Sequence, residues 1–157
     1  MNDARSKRYS ASGYDLSPLA PIVYERRIKD LTPEERRVLL ASGTETPFCG
    51  GLLHEHAAGT FVCRLCALPL FRSEDKFDSG TGWPSFTQPF DPEHITRIED
   101  SSHGMVRTEI RCARCAAHLG HVFPDGPPPT RERHCVNSVS LRFLPGAGRM
   151  ADEEADV

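Results

Sequence analysis

Two Cys-x-x-Cys turns, Cys63-Arg64-Leu65-Cys66 and Cys112-Ala113-Arg114-Cys115, constrain this chain more than any pattern of helix or strand. Each turn brings two thiolates close enough to share one tetrahedral ion, and two turns together complete a closed Zn2+ shell. The fold must then carry two segments, separated by 45 residues, to a single point. That gap exceeds the usual zinc-ribbon spacing, and an inserted subdomain would account for it. Four sulfurs fill the tetrahedron, so the ion, one per chain, is expected to stabilise rather than catalyse. The other reading, a thioredoxin-type redox pair, wants a βαβ context and a helix start, and neither surrounds these turns.

Cys49 and Cys135 are left over from the six cysteines. Cys135 lies in Arg133-His134-Cys135-Val136-Asn137-Ser138-Val139-Ser140-Leu141. The alternation reads as one strand from Cys135 to Phe143, with Cys135, Asn137, Val139, Leu141 and Phe143 on one face. Arg133 shares that face, and a thiol between a cation and an amide reads as reactive. Cys49 has two readings: a small buried hydrophobe, or the thiol that a sulfenic acid at Cys135 would need as its disulfide partner. The lone Trp83 sits in Ser79-Gly80-Thr81-Gly82-Trp83-Pro84-Ser85-Phe86, where two glycines and a proline force a turn that could present the indole to a pocket. A single tryptophan is otherwise more often core. His118-Leu119-Gly120-His121 has the spacing of a helical two-histidine zinc half-site, but the glutamate after the first histidine is missing and the central glycine weakens a helix. That leaves the pair as candidate general acids or orienting groups for a cysteine nucleophile. His54, His56, His94, His103 and His134 read as solvated or structural, His134 being aimed away from Cys135 by strand alternation.

The length of 157 residues suits one domain with a real core. A net charge of -3, spread over mixed charges without a basic stripe, argues against nucleic acid. The polar start lacks an apolar signal region, and no run approaches the roughly 20 apolar residues of a membrane span. No membrane association and a cytoplasmic location are therefore expected, where reduced cysteines serve metal and redox chemistry rather than three disulfides. Residues 1–22 read as a flexible N-terminal extension or a strap over the domain, 23–145 as the catalytic domain, and 146–157 as a solvated acidic tail. Thr32 as N-cap, Pro33 and Glu35 mark a short N-terminal helix ending near Ser42, with Gly43 as the stop. The rest is punctuated by Gly and Pro and reads as mainly β. Gly59–Val62 and Leu68–Phe71 flank the first cysteine pair, while an alternating run from Met105 to Arg111 delivers the second.

From about Tyr24 to Leu144 the chain resembles the B class of peptide methionine sulfoxide reductases. The resemblance is carried by Leu31-Thr32-Pro33-Glu34, Thr44-Glu45-Thr46-Pro47-Phe48, Lys76 to Phe86, His118-Leu119-Gly120-His121-Val122-Phe123-Pro124-Asp125-Gly126-Pro127, Arg133 to Leu141 and both cysteine pairs. It implies a zinc-bearing β-tent of two antiparallel sheets with few helices, the zinc lying away from the active site. It implies Cys135 as nucleophile, Trp83 as a wall against the substrate methyl, His118, His121 and Asn137 around the sulfoxide, and Arg133 as a cation near the thiol. The implied substrate is methionine-R-sulfoxide in oxidised proteins, the implied reductant thioredoxin, and the expected state a monomer. Thr81 stands where many members carry a resolving cysteine in the turn before Gly-Trp-Pro, so Cys49 is the natural substitute. Arg131-Glu132 and His134 also depart from the common pattern, without changing the implied reaction. Two rival classes are a non-enzymatic zinc module, which would not need Cys135, Asn137, His118 and Trp83 together, and a redox sensor that releases zinc on oxidation.

Overall fold

The computed structural model describes residues 8–146, and the acidic run expected as a solvated tail lies outside them. Helix α2, Pro33–Ala41, begins where its capping box dictates: Thr32 Oγ1 accepts from Glu35 N, and the Glu35 carboxylate accepts from Thr32 N. It ends one residue earlier than expected, because Ser42 rather than Gly43 takes the left-handed cap at φ 56°. Ahead of it, α1, Pro21–Lys29, is a second helix that the sequence patterns did not announce. No side chain caps its N-terminus and none of its residues is fully buried, so it gives no strong signature. It is held from outside, by Tyr24 and Ile28 against the core and by the Arg27 guanidinium on Leu65 O at 2.8 Å.

The body is mainly β, in two antiparallel sheets. The first has the order β2-β1-β9, from Gly59–Cys63 (β1), Pro69–Arg72 (β2) and Leu141–Pro145 (β9). The second runs β3-β4-β8-β7-β6-β5. Its strands are Lys76–Phe77 (β3), Ser85–Phe86 (β4), Ile95–Asp100 (β5), Arg107–Cys112 (β6), His118–Phe123 (β7) and Arg133–Val136 (β8). Phe61 and Phe71 of the first sheet meet Phe86 of the second at ring-centroid distances of 5.0 and 4.3 Å, all three fully buried. Aromatic rings that interlock across two sheets remove large apolar areas from water and tie the sheets together.

Each Cys-x-x-Cys turn is the tip of a hairpin: β1 ends on Cys63 and returns as β2, and β6 ends on Cys112 and returns as β7. The two tips therefore belong to different sheets. No inserted subdomain fills the 45-residue gap; β2 to β6 occupy it while the chain crosses from one sheet to the other. The expected continuous strand from Cys135 to Phe143 is also corrected. After β8 the chain makes a 3-10 turn at Ser138–Ser140 and enters the other sheet as β9. Buried positions cease to alternate across the break: Val136, Asn137 and Ser138 are all buried, and Ser140 and Leu141 are buried in succession as the chain enters the other sheet. Residues 8–17 lie on the body, with Leu16 buried in the core, Ser12 bonded to Asp91, and Arg114 of the second knuckle donating to Ser17 O at 2.8 Å.

Candidate active site

Cys135 sits in the middle of the larger sheet, on β8, with His121 of β7 opposite it on one side and Ser85 of β4 on the other. Above this strand pair opens a cavity of about 280 Å3, lined by Cys135, His118, His121, Asn137, Trp83 and Arg133 among others. Six of the seven residues expected at the reacting end thus share one cavity. Cys49 does not line it.

His118 and His121 are three apart, a spacing that a regular strand would put on opposite faces. A bulge removes the conflict. Ile110 pairs with Gly120 but Arg111 pairs with His118, so Leu119 is an extra residue that turns His118 back to the side of His121. The ring centroids end 5.8 Å apart. Gly120, which had seemed only a weakness in a helix, permits this packing, because a Cβ there would lie 1.9 Å from Cys135 O.

Each histidine has a carboxylate behind it, and sequence reasoning missed both. His118 Nδ1 lies 2.7 Å from Glu109 Oε2, and the same carboxylate pairs with Arg111. His118 is 3% exposed, and burial pushes it below its ordinary value. It therefore rests neutral, its Nδ1 proton donated to Glu109 and its Nε2 left for the cavity. His121 Nε2 lies 2.8 Å from Asp100 Oδ2, which also pairs with Arg107. Contact with His121 holds the Asp100 carboxyl well below the usual range. Acidic residues at alternate positions of strand-like runs give no sign that they will stand behind histidines of a neighbouring strand.

Asn137 is largely committed to structure. Its Oδ1 accepts from Glu45 N at 2.9 Å and its Nδ2 donates to Leu119 O at 3.1 Å, leaving one amide N–H for a ligand. The Trp83 indole is fixed by Nε1 donating to Glu45 O at 3.0 Å. Arg133 forks onto Asp125 at 2.8 and 3.1 Å and lies 4.4 Å over the Phe123 ring. Burial raises the Cys135 thiol above its ordinary value, against the opposing pull of Thr81, 3.9 Å from the sulfur, and Arg133. At neutral pH the sulfur is protonated, so attack on an electrophile calls for the proton to leave as the substrate arrives.

Cys49 is exposed, which overturns its reading as a buried hydrophobe. Its segment nonetheless borders the site. Phe48 N donates to Gly82 O at 2.7 Å, and a Cβ on Gly82, whose φ is +98°, would meet Pro47 at 2.7 Å and the Phe48 ring at 2.9 Å. Gly82 follows Thr81, whose hydroxyl faces Cys135. His134 points to the core and is fully buried against Phe71, and His94 is likewise buried, whereas His54 and His56 are exposed.

The four paired cysteines form one cluster, all Sγ atoms lying within 4.8 Å of one another, and Cys63–Cys115 and Cys66–Cys112 approach to 3.5 Å. A tetrahedron with Zn–S bonds of about 2.3 Å has edges of about 3.8 Å, so the cluster can close on a metal ion of that size with little movement. Sulfhydryl hydrogen bonds from Cys112 and Cys115 pull Cys63 well below its ordinary value, while Cys112 is pushed well above it by Cys115. A dication is what allows four clustered sulfurs, three of them buried, to be anionic together.

The SelR domain matches residues 31–145 of the chain. A protein of Caulobacter vibrioides (strain NA1000 / CB15N) named peptide methionine sulfoxide reductase MsrB is 56% identical over 152 residues, covering 97% of this chain and 94% of that protein. One of the same name from Xylella fastidiosa (strain M23) is 58% identical over 140 residues, covering 89% of this chain and 90% of its own length.

Proposed function

The chain belongs to the SelR-domain family of peptide methionine sulfoxide reductases, and from that membership we propose how its own residues carry out the reduction. The protein is a methionine sulfoxide reductase. Its substrate is the R epimer of methionine sulfoxide in oxidised proteins, so its role is their repair. The observation that carries the reading is the meeting of Cys135, two carboxylate-backed histidines and the Trp83 indole around one cavity.

The sulfoxide methyl rests against Trp83, and the oxygen lies toward His118, His121 and the free amide N–H of Asn137. As Cys135 attacks, its proton passes by way of His118 Nε2 to that oxygen, which makes the sulfur electrophilic. Oxygen passes to the protein: methionine leaves, and Cys135 becomes a sulfenic acid. The Cys49 thiol then attacks that sulfur, forming a Cys49–Cys135 disulfide and releasing water. A dithiol reductant of the thioredoxin type restores both thiols by exchange. Cys49 begins exposed and outside the cavity, and the disulfide demands that its Cα come within roughly 7 Å of that of Cys135. Arg133 keeps a cation near the developing thiolate. Cys63, Cys66, Cys112 and Cys115 hold one Zn2+, which supplies structural cross-linking. Free thiols with these roles belong in the reducing cytosol, where the chain acts as a monomer. No helix among the described residues is long and apolar enough to cross a membrane.

The test uses resolved epimers of a blocked methionine sulfoxide. The wild-type protein should reduce the R form and leave the S form, because one wall for methyl and fixed donors for oxygen cannot both serve the mirror arrangement. Cys135→Ser should release no methionine. Cys49→Ser should release one equivalent in a single turnover and then stall with thioredoxin while still turning over with dithiothreitol. Turnover by Cys135→Ser would overturn the nucleophile, and normal thioredoxin cycling by Cys49→Ser would overturn the resolving role.

A further inference from the structure

Glu45 enters none of the chemistry above, yet it is buried to 4% exposure and touches three parts of the site at once. Its carboxylate accepts from Ser138 N at 2.8 Å and Val139 N at 3.1 Å, at the start of the 3-10 turn that follows the Cys135 strand. Its own N–H donates to Asn137 Oδ1, and its carbonyl accepts from the Trp83 indole N–H. Trp83 and Asn137 stand on different segments, and among the described residues Glu45 is hydrogen-bonded to both.

The surroundings leave this carboxylate little room to act otherwise. A Cβ on Gly50 would fall 2.5 Å from Glu45 Oε2 and 2.3 Å from Ser138 Oγ, and Leu52 N donates to that same hydroxyl at 3.2 Å. The segment carrying Cys49 is thus tied on both sides to one turn, at its start through Glu45 and beyond Cys49 through Leu52. A buried carboxylate with two backbone donors is held far more tightly than a surface one, since releasing it would strand two N–H groups away from water.

We propose that Glu45 is a positioning residue, whose carboxylate anchors the main chain that fixes the Trp83 wall and the Asn137 amide against Cys135. The proposal rests on the reading of the cavity as a sulfoxide site. Trp83 contacts substrate alike before and during the reaction, so misplacing it raises KM more than it lowers kcat. Glu45→Gln is the first variant, because its remaining carbonyl oxygen still serves one of the two backbone donors. Glu45→Ala serves neither.

The experiment reads two quantities that a purely structural residue would not move together. Trp83 is the only tryptophan in the chain, so intrinsic emission reports the wall directly. Emission should shift to the red from wild type to Gln to Ala. KM for the blocked R-sulfoxide, with dithiothreitol as reductant, should rise in the same order, by about tenfold for Ala, while kcat changes by less than about threefold. Zinc content should stay at one equivalent, which shows that the variants fold. Lowered melting temperatures with wild-type KM and emission in Glu45→Gln would overturn the proposal. An emission shift in a protein whose wild type does not reduce sulfoxide would uphold the anchoring and instead overturn the reading of the site.

Discussion

His134 sits one residue from the nucleophile and does none of its work. Strand alternation sends it to the core, where it is fully buried against Phe71 and 3.8 Å from Glu132. Burial lowers it to about 4 from an ordinary 6.5. Because its folded value lies below its unfolded one, the unfolded chain binds a proton that the folded chain refuses throughout the window between them. The contribution of His134 is therefore fully present above about pH 6.5 and is lost as pH falls toward about 4. By pH 5 the loss amounts to about 2 kcal/mol. His134→Phe, which keeps an aromatic ring beside Phe71, should lose about that much less stability between pH 7 and pH 5 in urea melts. Parallel losses in wild type and variant would show that the acid sensitivity lies elsewhere.

At the scale of elements, the two knuckles are near copies. In each, the residue after the second cysteine, Ala67 or Ala116, takes a left-handed conformation, with φ of 68° and 65°. In each, the first cysteine accepts from that alanine's N–H at 2.8 Å. The conformation costs an L-residue about 1–2 kcal/mol, part of which glycine gives back as unfolded-chain entropy. Ala67→Gly and Ala116→Gly should each stabilise the protein by about 0.5–1 kcal/mol, seen as a melting temperature higher by about 1–4 °C. A lower melting temperature would mean that the methyl groups carry packing worth more than the strain. The same scale explains the histidine pair. Its three-residue spacing would place the two rings on opposite faces of a regular strand, and only the extra residue at Leu119 makes both serve one cavity.

For the whole molecule, the four-cysteine cluster matters because its thiols come from hairpins of different sheets. A structural zinc site supplies about 10–16 kcal/mol of binding free energy, as much as the entire stability of an ordinary domain, about 5–15 kcal/mol. Chelation should therefore unfold the protein rather than soften one end of it. Protein purified without added metal should hold one equivalent of zinc. Cys63→Ser in one sheet and Cys112→Ser in the other should destabilise it alike. A chelated protein with an unchanged melting curve would remove zinc from the account of stability. The buried Phe61, Phe71 and Phe86 contact would then be the main tie between the sheets.

Local chemistry by itself determined much of this protein. The cysteine spacing announced the four-cysteine cluster, the Thr32 and Glu35 capping box marked the start of α2, and alternation around Cys135 put its thiol and His134 on opposite faces. These signals are legible because each depends on residues only a few positions apart, whose relation the backbone alone sets. Tertiary structure decided the rest. The crossing between sheets at Ser138–Ser140 breaks the alternation of buried positions, but the residues buried there, Asn137, Ser138 and Ser140, are polar and give no apolar mark of it. The bulge that unites His118 with His121 exists only through pairing with β6, and the carboxylates of Glu109 and Asp100 behind them and the Glu45 bridge between Trp83 and Asn137 join residues 9 to 92 positions apart. Such contacts are fixed by strand register and buried hydrogen bonding, which exist only once the two sheets have closed on each other.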